Sequence, residues 1–168
     1  EVTKLSLLLK VLEGETEETL DTQLKFFHER ALPDLGNNIK CGNSLIGPDF
    51  YEDKEPTLFN TEEQYRINAF DWETEFSDIL KPEKAAQKGE KNAGFDAVIG
   101  NPPYVLLSQD VFQNEVKDYL SQYHVAQYKT DLYHLFLERG RKLLANSGLL
   151  GFIVPNPWLT LQNTEKLR

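Results

Sequence analysis

The feature that most constrains this chain is a short apolar segment that ends in two consecutive prolines. Residues 95–100 have the sequence Phe-Asp-Ala-Val-Ile-Gly, which is largely apolar, partly β-branched and bounded by glycines. This composition predicts a buried β-strand. Residues 101–104, Asn-Pro-Pro-Tyr, cannot continue the strand, because neither proline has an amide hydrogen to donate to a sheet. The sequence therefore places a rigid loop at the carboxyl end of a buried strand.

A second apolar segment indicates the fold class. Residues 149–154, Leu-Leu-Gly-Phe-Ile-Val, predict another buried strand, which the following proline ends. Between the two strands we predict helices over 109–122 and 131–144, the second of them capped by Asp131 and closed by residues 146–148. Apolar strands separated by helices predict an α/β fold with a mainly parallel sheet.

The other segments predict how the rest of the chain is organised. We expect residues 1–37 to form a helical lead-in and residues 38–168 to belong to the main domain, with a polar loop insertion near 48–70. The individual elements that we predict are helices over 5–12 and 17–30, a short strand over 38–41, a helical turn over 62–67 and a helix over 72–80.

Composition and charge limit the classes of function. The chain has 168 residues, of which 40% are hydrophobic and 27% charged, as is usual for one soluble domain or a part of one. Its net charge of −9 argues against a free-standing nucleic-acid binder. It does not argue against a catalytic module of a protein whose nucleic-acid-binding surface lies elsewhere. No apolar run approaches the roughly 18 residues of a membrane span, so we expect no membrane partner.

The cysteine and methionine counts add two expectations. The single cysteine, Cys41, cannot form an intramolecular disulfide, so we expect a reducing, cytoplasmic environment. The chain contains no methionine and ends in residues typical of a helix that has just begun. We therefore expect an internal fragment of a longer protein.

The loop after the first strand has the most specific chemistry, because ligands of parallel sheets bind beyond the carboxyl ends of the strands. The side-chain oxygen of Asn101 and the carbonyl of Pro102 could accept hydrogen bonds from the two N–H groups of a planar exocyclic amine, which would localise the lone pair of its nitrogen. Pro103 restricts the residue before it to extended geometry and so fixes the direction of that carbonyl. Tyr104 offers an aromatic face on which a flat substrate can stack.

The same residues carry a resemblance to a known family. Residues 95–104 resemble motif IV of the amino-group DNA methyltransferases, which share a Rossmann-like fold and use S-adenosylmethionine. Further segments resemble, in the same order, parts of the adenine-specific gamma-type enzymes of type II restriction–modification systems. Residues 39–45 resemble motif III, 70–76 a segment ahead of motif IV, 129–136 motif V and 149–159 motif VI.

The resemblance implies a function, a cofactor and a set of site residues. It implies a DNA adenine methyltransferase, either separate from or fused to a restriction endonuclease, that acts on double-stranded DNA with a flipped-out adenine and needs no metal ion. It implies S-adenosylmethionine as the methyl donor. The residues that it assigns to catalysis are Asn101, Pro102, Pro103 and Tyr104, and those that it assigns to the cofactor are Asn43, Ser44, Asn101 and Phe136.

The chain also departs from the family pattern. It has no Phe-x-Gly-x-Gly segment, which is motif I and binds the methionine part of the cofactor, and no target-recognition domain. Asn43 stands where the family often has an acidic residue. The two strands that the family places between motifs III and IV are missing. We therefore expect an incomplete sheet, and no activity without the rest of the same polypeptide.

Three alternatives stay open. A methyltransferase for the glutamine of a peptide release factor shares the Asn-Pro-Pro-Tyr loop, and a non-catalytic scaffold or specificity portion of a restriction enzyme could share the fold. A metal-dependent PD-ExK nuclease is a weaker third, because its pattern would need a buried strand where the chain is hydrophilic and stopped by proline. The nuclease pattern is formed by Asp34, Glu52 and Lys54, and the histidines without ligand spacing are His28, His124 and His134.

Overall fold

A computed structural model of the chain describes residues 2–12, 35–52, 61–81, 93–108, 112–127 and 129–159. The chain divides into two units, Glu1–Cys41 and Gly42–Arg168. In the first unit, helix α1 spans Val2–Leu12, which confirms the predicted helix and begins three residues earlier. The helix predicted over 17–30 lies outside the described residues.

The strand predicted over 38–41 is wrong. Asn38 and Ile39 both donate their backbone amides to the carbonyl of Leu35, over 3.1 and 3.0 Å. These short-range bonds close a turn over residues 36–38, and residues 39–41 have no regular structure. Because the turn takes the amides that a ladder would use, the segment does not extend into a sheet here.

The second unit contains a parallel pair of strands. Strand β1 spans Phe95–Gly100 and strand β2 spans Leu144–Phe152. The predicted burial of these strands is wrong: no residue of β1 is buried, and Ile99 and Leu149 are 84% and 74% exposed. A sheet of two strands leaves much of its surface uncovered in the described part of the chain. Ala97 pairs with Leu149, and the register continues to Gly100 opposite Phe152. The predicted parallel α/β arrangement is confirmed to this extent, and the Rossmann-like form of the sheet stays a prediction.

Strand β2 begins earlier than predicted, which corrects the expected helix end at residues 146–148. The pairing is irregular there: Phe95 pairs with Leu144 and Ala97 with Leu149, so two steps on β1 match five on β2. A Cβ on Gly148 would lie 2.7 Å from the carbonyl oxygen of Phe95. The turn-forming residues therefore lie in a bulge of the strand, where only glycine fits.

Two helices connect the strands. Helix α5 spans Asn114–Leu120 and helix α6 spans Leu132–Leu143, both within the predicted ranges. Asp131 occupies the N-cap position of α6, but its side chain makes no capping hydrogen bond. Helix α6 packs on the sheet at Gly140, where a Cβ would lie 2.9 Å from the side chain of Leu150.

The segment over 48–70 is not merely a surface insertion. It forms a 3-10 helix over Pro48–Tyr51 and helix α2 over Thr61–Ile67, which confirms the predicted helical turn. Phe50 and Ile67, each 7% exposed, belong to the core of the unit. The buried residues of this core are Leu45, Ile46, Phe50, Ile67, Val116, Leu120, Val125, Leu132 and Leu135.

The helix predicted over 72–80 is divided into helix α3, Trp72–Glu75, and helix α4, Ser77–Leu80. Phe76 lies at the break and packs its ring 5.4 Å from that of Phe95 on β1. Asp71 caps α3 by accepting hydrogen bonds from the hydroxyl and the amide of Thr74, which lower the pKa of its carboxyl group.

The last described element is a 3-10 helix over Asn156–Leu159, beyond the end of β2. Among the helices of the described ranges, none has both the length and the apolar character needed to cross a bilayer.

Candidate functional site

The loop over residues 101–104 is attached at both ends to one residue beyond β2. The amide of Ile153 donates to the carbonyl of Gly100 over 3.1 Å, just before the loop. The hydroxyl of Tyr104 donates to the carbonyl of Ile153 over 2.8 Å, at the end of the loop. Pro102 is buried, whereas Asn101 and Pro103 are exposed. The loop is therefore attached at both ends while Asn101 remains exposed to solvent.

Asn101 and Tyr104 lie next to each other across this loop. The hydroxyl oxygen of Tyr104 is 3.2 Å from Oδ1 of Asn101. The ring of Tyr104 is 50% exposed and meets the ring of Tyr133 edge to face, with 6.1 Å between their centroids. An exposed amide oxygen beside an exposed aromatic face suits a flat ligand that carries an amino group.

The turn that contains Asn43 and Ser44 is hydrogen-bonded to the residue that follows helix α2 and to helix α3. The amide of Asn43 donates to the carbonyl of Asn68 over 2.7 Å, and Nε1 of Trp72 donates to the carbonyl of Ser44 over 3.1 Å. Oδ1 of Asn43 accepts the amide of Leu45 over 3.1 Å. This last bond is an Asx-type turn, so the Asn43 oxygen stabilises the backbone locally.

Tyr123 and Arg139 hold the same turn from the other side. The hydroxyl of Tyr123 donates to the carbonyl of Leu45 over 2.7 Å and accepts from Nη2 and Nε of Arg139 over 2.7 and 3.1 Å. Burial raises the pKa of Tyr123, so the phenol keeps the proton that it donates. We define these two residues as the Leu45 clamp.

A second tyrosine fixes the end of the turn. The hydroxyl of Tyr119 donates to the carboxylate of Asp49, with its two oxygens at 2.8 and 2.9 Å, and accepts the amide of Gly47 over 3.1 Å. Burial, together with the neighbouring Asp49 carboxylate, raises the pKa of Tyr119 to about 12. The phenol therefore stays protonated at physiological pH and joins α5 to the turn.

Removal of the Tyr123 hydroxyl is expected to destabilise the protein. In Tyr123→Phe the carbonyl of Leu45 loses its short hydrogen bond, and Arg139 keeps only a 3.4 Å contact with that carbonyl. Leaving such partners unsatisfied costs about 1–3 kcal/mol of unfolding free energy. Urea denaturation measures the loss. Tyr65→Phe is the matched control, because Tyr65 is 81% exposed; equal stability of the two variants would contradict a stabilising clamp.

Two cavities bring most of the predicted site residues together. One, of about 260 Å³, is lined by Ser44, Asn101, Pro102, Pro103 and Phe136, with Trp72 and Arg139 beside them. The other, of about 350 Å³, is lined by Asn43, Pro103 and Phe136, together with apolar core residues, Arg66 and Gln113. Pro103 and Phe136 line both cavities, whereas Tyr104 lines neither.

Sequence reasoning does not find the residues that hold the site in place. Tyr119, Tyr123 and Arg139 are 70 or more positions from the turn residues that they bond, and no local pattern indicates such contacts. The segment over 70–76 is recognisable from its sequence, but the bond from Trp72 to Ser44 is not.

Among the described residues, no group of three or more histidine, cysteine, aspartate or glutamate side chains could hold a metal ion. Glu52 follows a 3-10 helix rather than lying on a strand, and Asp34 and Lys54 lie outside the described residues. His134 is buried, and burial lowers its pKa.

One family model and several curated relatives match this chain. The family model described as Eco57I restriction-modification methylase matches residues 1–168. The chain is 34% identical over 166 residues to the type II restriction enzyme and methyltransferase RM.Eco57I of Escherichia coli, covering 96% of this chain and 13% of that protein. It is 37% identical over 75 residues to the type II methyltransferase M.BstVI of Geobacillus stearothermophilus, covering 44% of this chain and 13% of the relative.

A third relative is the type II methyltransferase M.TthHB8I of Thermus thermophilus, which is 34% identical over 85 residues, covering 47% of this chain and 20% of that protein. No solved structure matches this chain significantly. In each of these comparisons the matched region is a fifth or less of the relative's length.

Proposed function

Because this chain belongs to the Eco57I restriction-modification methylase family, we propose that it contributes the catalytic loop of a DNA methyltransferase that acts on the exocyclic amine of adenine. The observation that supports this most is the loop over 101–104, which is anchored at both ends and presents the Asn101 amide beside the half-exposed ring of Tyr104.

Asn101 and Pro102 are proposed to prepare the amine for reaction. The lone pair of an exocyclic amine is delocalised into the ring, which makes the nitrogen a weak nucleophile. Oδ1 of Asn101 and the carbonyl of Pro102 accept hydrogen bonds from its two N–H groups and favour a tetrahedral nitrogen. Pro103 keeps that carbonyl in a fixed direction. The amine loses a proton readily once it is alkylated, so no general base is required.

Tyr104 is proposed to hold the base. Enzymes that modify a base take it out of the DNA stack, and an aromatic face replaces part of the lost stacking. The exposed ring of Tyr104 offers that face. Because the chain carries a net charge of −9 over its 168 residues, the grip on the DNA backbone is proposed to come from other parts of the polypeptide, and this chain alone is expected to be inactive.

S-adenosylmethionine is the proposed cofactor, and it would supply an electrophilic methyl group. The 350 Å³ cavity is proposed to hold its adenine, because its lining is mostly apolar and includes Phe136 and Asn43. Ser44 and Asn101 line the neighbouring cavity, across Pro103 and Phe136. Asn43 is a neutral residue whose oxygen already accepts the Leu45 amide, so its amide nitrogen is the donor left for a ligand.

Phe136→Ala is expected to weaken cofactor binding. Stacking of an aromatic side chain on a base contributes about 1–3 kcal/mol, so the dissociation constant for S-adenosylmethionine should rise by at least several-fold. Isothermal titration calorimetry on the natural full-length protein measures it. Tyr65→Ala removes an exposed aromatic ring that lines neither cavity and should leave the affinity unchanged. Unchanged affinity in Phe136→Ala would show that the adenine of S-adenosylmethionine binds elsewhere.

The proposed reaction is tested by product analysis. The full-length protein is incubated with methyl-labelled S-adenosylmethionine and either plasmid DNA or a peptide release factor, and the products are digested and identified by mass spectrometry. N6-methyladenine in the DNA supports the proposal. Methylglutamine in the release factor would favour the first alternative, and no methylated product would favour the scaffold.

A further inference from the structure

The hydroxyl of Tyr104 has a position that stacking does not explain. A stacking residue needs only its ring, and a phenylalanine would supply one. Here the hydroxyl lies between two acceptors, the carbonyl of Ile153 at 2.8 Å and Oδ1 of Asn101 at 3.2 Å. A phenol has one proton, so it donates fully to only one of them.

The distances indicate which acceptor receives the proton. O–H···O hydrogen bonds are usually about 2.7–2.8 Å long, so the Ile153 carbonyl receives the proton. The longer contact leaves the lone pairs of Asn101 Oδ1 available to a substrate amine. The side chain of Asn101 is thereby held next to a fixed oxygen without its acceptor being used up.

The backbone of Ile153 completes the arrangement. Its amide donates to the carbonyl of Gly100, the residue before the loop, and its carbonyl accepts from Tyr104, the last residue of the loop. One residue therefore fixes both ends of the segment that contains Asn101. Removal of the hydroxyl would free the end that the ring alone cannot hold, because the ring is half exposed and touches Tyr133 only edge to face.

We propose that the Tyr104 hydroxyl is a positioning group: through the Ile153 carbonyl it fixes the loop so that Asn101 Oδ1 is directed at the substrate amine. This role rests on the function proposed above and adds to the stacking role of the ring. Tyr104 would then affect the rate of methyl transfer through Asn101, in addition to stacking its ring on the base.

Tyr104→Phe in the natural full-length protein tests the proposal, because the ring stays and only the hydroxyl is lost. Loss of one hydrogen bond that orients a reacting group is expected to lower the single-turnover rate of DNA methylation by about tenfold. DNA affinity and the 2-aminopurine signal of base flipping should stay the same. Tyr133→Phe is the control, since no hydrogen bond of the Tyr133 hydroxyl is found within the described ranges, and it should keep the normal rate.

A double-mutant cycle separates positioning from a general structural effect. If the hydroxyl acts through Asn101, Tyr104→Phe should cause no further loss of rate when Asn101 is already alanine. The same tenfold loss in both backgrounds would overturn the proposal, as would a normal rate for Tyr104→Phe alone. If Asn101→Ala itself methylates DNA normally, the proposed function fails instead.

Discussion

Replacement of Asn101 by alanine is expected to lower the rate of methyl transfer by about 10²–10³, with little change in DNA affinity. The Asn101 oxygen interacts most strongly with the amine when positive charge develops on its nitrogen, so it stabilises the transition state more than bound substrate. Losing one such preorganised group typically costs about 3–4 kcal/mol in the barrier. The exposed position of Asn101 on a loop anchored at both ends suits this role.

Single-turnover methylation of a cognate duplex by the full-length protein measures the effect, and a separate titration measures DNA affinity. Asn114→Ala is a matched control, because Asn114 is an exposed asparagine at the start of α5, and we expect it to keep the normal rate. If Asn101→Ala weakens DNA binding as much as it slows transfer, Asn101 acts in binding rather than in the chemical step.

The strands could be predicted from the sequence because their signal is local. A short β-branched run bounded by glycine and proline has few alternatives to a strand, and β1 lies over the predicted residues. The predicted burial of this strand is wrong, because burial depends on what packs against the sheet, and Ile99 is 84% exposed. The start of β2 could not be predicted, because Asn146-Ser147-Gly148 has the composition of a turn. These residues do interrupt the ladder, but as a bulge against Phe95, and only pairing with β1 shows this.

The segment over 48–70 shows how average polarity can mislead. Most of its residues are hydrophilic, which predicts a surface insertion. Phe50 and Ile67 are nevertheless in the core, where Phe50 packs edge to face against Tyr119 with 5.4 Å between ring centroids. Burial is decided by single side chains that reach a distant partner, and an average over the segment does not contain that information.

The candidate site also has a part that could be predicted from the sequence and a part that could not. The loop over 101–104 could be located because its four residues come directly after a strand and have recognisable chemistry. The Leu45 clamp could not, because Tyr123 and Arg139 meet the carbonyl of Leu45 only after the chain has folded. Local motifs thus indicate the groups that face a ligand, whereas the groups that orient them depend on tertiary contacts.

Leu135→Ala is expected to lower the free energy of unfolding by about 2–5 kcal/mol, the usual cost of truncating a fully buried leucine. Leu135 lies on α6 with 0% exposure, among the core residues that join this helix to the turn and to α5. The cost has two parts. One is the lost free energy of transferring the leucine side chain from water to the core, and the other is the cavity that its neighbours cannot fill. Urea denaturation, combined with hydrogen exchange of α6 peptides in the full-length protein, measures it.

Leu135→Met is the matched control, because it changes the side chain but keeps it apolar and of similar volume. Methionine keeps most of the volume and is flexible, so the loss should stay below about 1.5 kcal/mol. If Leu135→Ala costs no more than Leu135→Met, the core around α6 can relax into the space and is not closely packed. A large difference between the two variants, with hydrogen exchange accelerated in α6 and in the turn over 43–47 together, would show that this core also holds the candidate cofactor residues in place.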